Sequence, residues 1–210
     1  SLYFFESIPR MYEPQLSAHF EHGYAVSPTG ADHCHSLHDL DMDMPNDEGF
    51  LSSDGLREMG ILEALPLESL GPDKARATLY DTIGSLTGNC LLLCGFVPWT
   101  NDEQREIVRA ATGWDVSDFE LTKVGERALT LARVFNVREG FGIDDDHLAE
   151  RSYGPTTSGA LSNAGIDREL LREAIQTYYG MAGWDEETGV PRAAKLHELG
   201  VSWAVDCLPS

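Results

Sequence analysis

A chain of 210 residues is long enough to bury a real core as one domain or a little more, and an apolar fraction of 42% argues against disorder. Its 35 acidic residues outnumber 15 basic ones, a formal net charge of -20 that repels nucleic acid and anionic membrane surfaces. No apolar run approaches the roughly 20 residues that a membrane helix needs.

Only three of the bases are lysine (Lys74, Lys123 and Lys195), so the acidic surface is served mainly by arginine. That balance suggests a halophilic protein from a high-salt cytoplasm, where ions screen the self-repulsion. The four cysteines, Cys34, Cys90, Cys94 and Cys207, form no dense framework. A reduced, intracellular protein is the expectation. The start, Ser1-Leu2-Tyr3-Phe4-Phe5-Glu6, has neither an initiator methionine nor a basic leader, and reads as a cut inside a longer chain.

In chain order, residues 1–56 are loop-rich, broken by Pro9, Pro14, Pro28 and Pro45. Residues 56–65 read as a short helix before Pro66. From Pro72 a longer helical pattern runs towards Cys94 through an apolar stretch, 80–96, expected to be buried and loosened by Gly84 and Gly88. Thr100 with Glu103 and Ser117 with Glu120 are capping boxes, which predict two helix starts, and Gly113 is a predicted stop. In the second of these helices Leu121, Val124, Ala128, Leu131 and Phe135 repeat at core spacing, with Gly140 as its end. A long connection, 141–166, carries Asp144, Asp145 and Asp146. Asp167 should cap a helix running through Tyr178 and Tyr179, and Pro191 should open a last one that stops at Gly200. The fold class is therefore mainly α: a loop-rich segment at 1–56 and a helical domain at 57–210.

Reactive side chains gather in two places. Cys90 and Cys94 are four apart, which on a helix puts both thiols on one face. Either can be a small hydrophobe of the core, or a thiolate ligand for a site completed elsewhere. His33, His35 and His38 lie beside Asp32, Cys34 and Asp39. They read either as a polar loop bonded to its own backbone, or as acid–base or zinc-binding groups. The segment from Asp39 to Phe50 imitates a calcium loop but has Met44 and Phe50 where glycine and the bidentate glutamate belong.

Five stretches in the right order make the chain resemble the C-terminal portion of the aldehyde ferredoxin oxidoreductase family, the tungsten–pterin enzymes. They are 23–33, ending Gly30-Ala31-Asp32-His33; Asn89-Cys90-Leu91-Leu92-Leu93-Cys94, similar to the family's second pterin motif, Asp-x-x-Gly-Leu-Cys; 125–141; 145–151; and 178–200. The resemblance implies the helical C-terminal domains of a tungstopterin oxidoreductase that oxidises aldehydes to carboxylic acids with ferredoxin as acceptor. It implies a tungsten (or molybdenum) bis-pterin and one [4Fe–4S] cluster, with Cys94 as the fourth cluster ligand and the other three thiolates outside this chain. His33 falls on the family's active-site histidine. Asn89 and Leu93 fall on pterin-holding positions, as do Thr29 and His35. Here an amide, a hydroxyl and an imidazole replace the usual charged groups, and Leu92 replaces the motif's glycine.

By the same resemblance the partners are the N-terminal part of the same enzyme, ferredoxin, an aldehyde or other small organic substrate, and a second copy in a homodimer, with neither nucleic acid nor membrane. The fragment alone should be inactive. The long spacing from His33 to Cys94 is similar to the branch containing the tungsten subunit of benzoyl-CoA reductase. A third reading is a non-catalytic relative that binds a metal through His33, Cys34 and His35. The helix at 125–141, with Asn136 and Arg138, reads as structure.

Overall fold

A computed structural model describes residues 23–30, 53–63, 65, 69–95, 97, 99–155 and 165–209. The described residues are mainly helical: α1 Ser53–Glu58, α2 Pro72–Cys90, α3 Asn101–Thr112, α4 Asp118–Arg138, α5 Arg168–Ala182 and α6 Ala193–Glu198. Short 3-10 turns follow at Glu150–Tyr153 and Ser202–Cys207. The only strand-like pairing among the described residues is an isolated antiparallel bridge between Trp184 and Pro191. No described helix is long and apolar enough to cross a membrane.

Helix α2 is the centre, packing chiefly on α4 and then on α5. Its buried face carries Ala75, Ala77, Leu79 and Ile83, but also Thr78, Thr82 and Thr87. Those hydroxyls donate back to the carbonyls of Lys74, Thr78 and Ile83 at 3.0, 2.8 and 2.9 Å, so the polar atoms enter the core satisfied. Helices α2 and α4 touch through backbone. A Cβ on Gly125 would stand 2.1 Å from the Ile83 carbonyl oxygen and 2.3 Å from Thr87 Oγ1. Thr87 Oγ1 also lies 3.2 Å from the Leu121 carbonyl oxygen, in hydrogen-bond contact across the crossing.

The main core joins Ala75, Leu79 and Ile83 of α2 to Leu129 of α4 and to Leu171, Ile175, Tyr178 and Tyr179 of α5. Tyr24, Ala25 and Val26, from a helical turn at 23–26, belong to the same core. A second cluster seats Val134 against Leu196, Leu199, Val201 and Ala204, which holds the C-terminal segment on the opposite side of α4.

Both capping boxes form as the sequence predicts, at Thr100–Glu103 and Ser117–Glu120, and Gly113 ends α3 in the left-handed region. Asp167 caps α5 through the amides of Glu169 and Leu170. Four expectations need correction. The first helix spans Ser53–Glu58, and Gly60 turns the chain at φ 78°. The last begins at Ala193, because Pro191 is engaged in the bridge to Trp184. The buried face of α4 is Leu121, Gly125, Leu129, Arg133, Val134 and Val137, while Phe135 is 54% exposed. The close approach at Gly125 rotates the helix away from the purely apolar stripe. Finally, the buried stretch ends at Thr87, one turn before the end of α2: Asn89, Cys90, Leu92 and Cys94 are exposed.

Candidate functional site

Helix α2 stops in a way that places the second motif. The Leu93 amide donates to the Gly88 carbonyl and the Leu92 amide to the Asn89 carbonyl, both at 3.0 Å. This is a Schellman stop, in which the residue after the cap is left-handed and usually glycine. Here that residue is Leu92, at φ 58°. A leucine in this region carries a strain of roughly 1–2 kcal/mol. A glycine at this position of the motif would meet the helix stop without that strain. Leu92 is 91% exposed, and Leu91 and Leu93 are half-buried, so among the described residues 91–93 does not show the burial expected of the stretch 80–96.

Past the stop, the Cys94 carbonyl accepts from the Trp99 indole Nε1 and from the Val97 amide, each at 3.2 Å. These bonds pin the backbone at Cys94 while its thiol is free and exposed. Cys94, Asn89 and Leu93 line one recess of about 280 Å³ between the end of α2, the start of α3 and the start of α4. Asp81, Ser85, Thr87, Asn101, Gln104, Asp118 and Thr122 are also among its polar lining residues. Among the described residues that line it there is no Lys, Arg or His. Its amides and hydroxyls can donate or accept, and its two carboxylates, Asp81 and Asp118, suit a ligand rich in N–H groups better than a bare phosphate.

The structure therefore brings Asn89, Leu93 and Cys94 together. Cys90 is free and exposed but does not line the recess. Thr29 sits elsewhere. The Pro28 carbonyl before it accepts from Asn136 Nδ2 at 3.0 Å, near the C-terminus of α4. Asn136 is roughly 20 Å along the helix from Thr122 at the recess, at 1.5 Å rise per residue. Asn136 thus anchors the segment that leads to the histidines, a structural contact as expected for this helix. His33, Cys34, His35 and His38 lie outside the described residues. Among the described residues no three His, Cys, Asp or Glu side chains converge as a metal site.

One buried charged node was not visible in the sequence. Arg133 Nη1 meets Asp146 Oδ2 at 2.6 Å with both side chains nearly excluded from water. Its Nε donates to the Gly189 carbonyl at 2.9 Å and its Nη2 to Tyr179 Oη at 3.1 Å. The Tyr179 hydroxyl in turn donates to Asp146. The guanidinium also lies over the rings of Tyr179 and Trp184, at 5.1 and 5.4 Å from their centroids. Burial raises the Asp146 carboxyl above its ordinary pKa, against the opposing pull of Arg133 and Tyr179. Burial raises the Tyr179 phenol as well. The node ties α4, the acidic connection, α5 and the turn before α6 together, and it contributes nothing to the recess lining.

Comparison with known proteins gives concordant results. The family described as "Aldehyde ferredoxin oxidoreductase, domains 2 & 3" matches residues 8–201. The tungsten-containing aldehyde ferredoxin oxidoreductase of Pyrococcus furiosus is 33% identical over 103 residues, covering 48% of this chain and 16% of the relative. That of Thermococcus kodakarensis is 32% identical over 102 residues, with the same coverage. An aliphatic sulfonate oxidoreductase, WOR-like subunit, of Pyrococcus furiosus is 28% identical over 120 residues, 54% of this chain and 19% of the relative. Among solved structures, the active-site complex BamBC of benzoyl coenzyme A reductase with 1,5-dienoyl-CoA superposes with a TM-score of 0.63 at 16% identity. It covers 91% of this chain and 31% of that one. The chain thus spans about a sixth of the length of the curated aldehyde oxidoreductases it matches.

Proposed function

The chain belongs to the aldehyde ferredoxin oxidoreductase family, and from that premise we propose that it is the helical part of a tungsten- (or molybdenum-) pterin oxidoreductase that oxidises aldehydes to carboxylic acids with ferredoxin as electron acceptor. The observation that carries this reading is the convergence of Asn89, Leu93 and the free thiol of Cys94 on one polar recess. The residues fit the implied groups. An exposed thiol on a pinned backbone suits a single ligand of an iron–sulfur cluster, and amide and carboxylate oxygens suit the N–H edge of a pterin.

In this reading Asn89 and Leu93 hold the pterin, and Cys94 gives one thiolate to a [4Fe–4S] cluster whose other ligands lie outside this chain. When bound, the metal–pterin and the cluster supply the two-electron oxidation and the single-electron relay to ferredoxin. The chain's own contribution is placement. The Trp99 indole and the Schellman stop fix Cys94, and Asn136 fixes the backbone ahead of His33, the residue that handles protons. Thr29 and His35 lie on the same segment as His33 and serve the pterins from that side. The rest of the enzyme and, in a homodimer, a second copy complete the partners.

Substitution of the two thiols in the full polypeptide tests the assignment. Cys94→Ser should lose the iron and the broad visible absorbance of the cluster while Cys90→Ser keeps both; equal loss in the two, or loss only with Cys90, overturns it. The second reading, an aromatic thioester as substrate, rests on the long spacing from His33 to Cys94; the likeness to BamBC over 91% of the chain, at 16% identity, speaks for fold alone. Turnover of an aromatic CoA thioester without turnover of free aldehydes would select it.

A further inference from the structure

Asn89 carries no charge, yet the recess it lines is not uncharged at that level. Two contacts fix the register of the helices that flank it. Thr87 Oγ1 meets the Leu121 carbonyl oxygen at 3.2 Å, and Ile83 backs onto Gly125. The later residue of α2 meets the earlier residue of α4, so the helices run antiparallel. Moving two residues on from Thr87 to Asn89 corresponds to moving two back from Leu121 to Phe119, one residue from Asp118, the first residue of α4. Asp118 lines the same recess.

The carboxylate of Asp118 is oriented from one side only. Arg105 Nη1 donates to its Oδ2 at 3.2 Å, and the same guanidinium also pairs with Asp102. Two carboxylates share one cation, so the group keeps a net negative charge. The Asp118 side chain is 52% exposed, and among the described residues its other oxygen has no hydrogen bond or ion pair. We infer that Asp118 is a ligand-binding residue of the recess: its carboxylate receives N–H groups of a heterocycle, with Asn89 lining the same recess and Arg105 as the positioning residue. This rests on the pterin reading above. The ligand class is one that presents adjacent N–H donors on a flat ring, as the aminopyrimidinone edge of a pterin does. A carboxylate meets such an edge through two parallel charge-assisted bonds. The volume of 280 Å³ sits just under the roughly 300–1,000 Å³ of small-molecule sites, which suits one ring system and not a whole bis-pterin.

The experiment uses the full polypeptide purified with its cofactor. Pterin is released and oxidised to its fluorescent form and counted per chain, and the melting temperature is recorded alongside. Asp118→Asn should retain pterin about tenfold less well, the scale of a charge-assisted hydrogen bond lost. Its melting temperature should fall by no more than about 2–4 °C, the value of a first-turn acid at a helix start. Asn89→Asp added to Asp118→Asn should restore retention, since it returns the charge at the same level. Asp73→Asn, which removes an equivalent first-turn acid on α2, should leave retention unchanged.

Full retention in Asp118→Asn overturns the inference. So does a loss that Asn89→Asp fails to restore, because Asp118 then serves only the start of α4. A wild-type polypeptide that contains no pterin refutes the functional reading itself, and this inference with it.

Discussion

Replacing Gly125 with alanine should open the α2–α4 crossing on which the recess depends. The new methyl carbon would stand 2.1 Å from the Ile83 carbonyl oxygen and 2.3 Å from Thr87 Oγ1. Ordinary contact begins near 3.4 Å, so the helices must part by about 1 Å, and the obstacle includes backbone that cannot rotate aside. Overpacking of this kind costs about 3 kcal/mol at the upper end of its usual range. Stretching the bond between Thr87 and the Leu121 carbonyl, 3.2 Å long in the native crossing, adds about 1 kcal/mol. The better helix propensity of alanine returns about 1 kcal/mol. The net loss is about 3 kcal/mol, or a fall of roughly 6–12 °C in melting temperature for a chain of this size. Gly88→Ala is the matched comparison, since nothing lies within 4 Å of the Cβ it would add. It should be neutral or slightly stabilising by the same propensity term. Thermal unfolding followed by circular dichroism at 222 nm reads both. If Gly125→Ala melts within about 2 °C of wild type, less than 1 kcal/mol on the same scale, the close-packed crossing is wrong.

Arg133→Met leaves Asp146 buried without its cation, which should destabilise by about 3–5 kcal/mol at neutral pH. The loss should shrink towards pH 4–5. The folded pKa of Asp146 is already raised by burial, and removing Arg133 raises it further. A raised acid gives stability that is present below its unfolded pKa and lost as pH rises through its folded pKa. Paired denaturation curves at pH 4.5 and 7.5 check the sign, and an equal loss at both would contradict it. The charge of -20 with only three lysines predicts a melting temperature that climbs from dilute buffer to molar KCl; a fold equally stable in both would remove the high-salt assignment.

The parts of the fold legible in the sequence are those whose chemistry is local. Thr100 and Ser117 find their partners three residues on, and Asp167 caps its own first turn. Arg133 was invisible for the opposite reason. Its partners Asp146, Tyr179 and Gly189 are remote in sequence, and a charged residue in a helical pattern reads as surface. Phe135 was placed in the core by its spacing, because periodicity alone does not reveal that a glycine, not a large side chain, sets the facing surface of α4.

The site divides in the same way. Asn89, Leu93 and Cys94 were readable as a group only through resemblance to a known motif. Nothing in their spacing shows that a left-handed Leu92 turns Leu93 and Cys94 towards the residues that open α4. Asp118 carried one local signal, that of a first-turn acid, which concealed its place on the recess. Lysine placement also became clear only in three dimensions. Lys74 is buried, and Lys123 and Lys195 interleave with Glu126 and Glu198, so none of the three serves as an ordinary exposed cation.

Elemental analysis of the native full-length polypeptide tests the proposal that this chain serves a metal–pterin and an iron–sulfur cluster. Tungsten or molybdenum together with about four irons per chain, the content of one cubane cluster, is the expected result. Zinc alone, or no metal in protein from a source that makes the pterin, would contradict it.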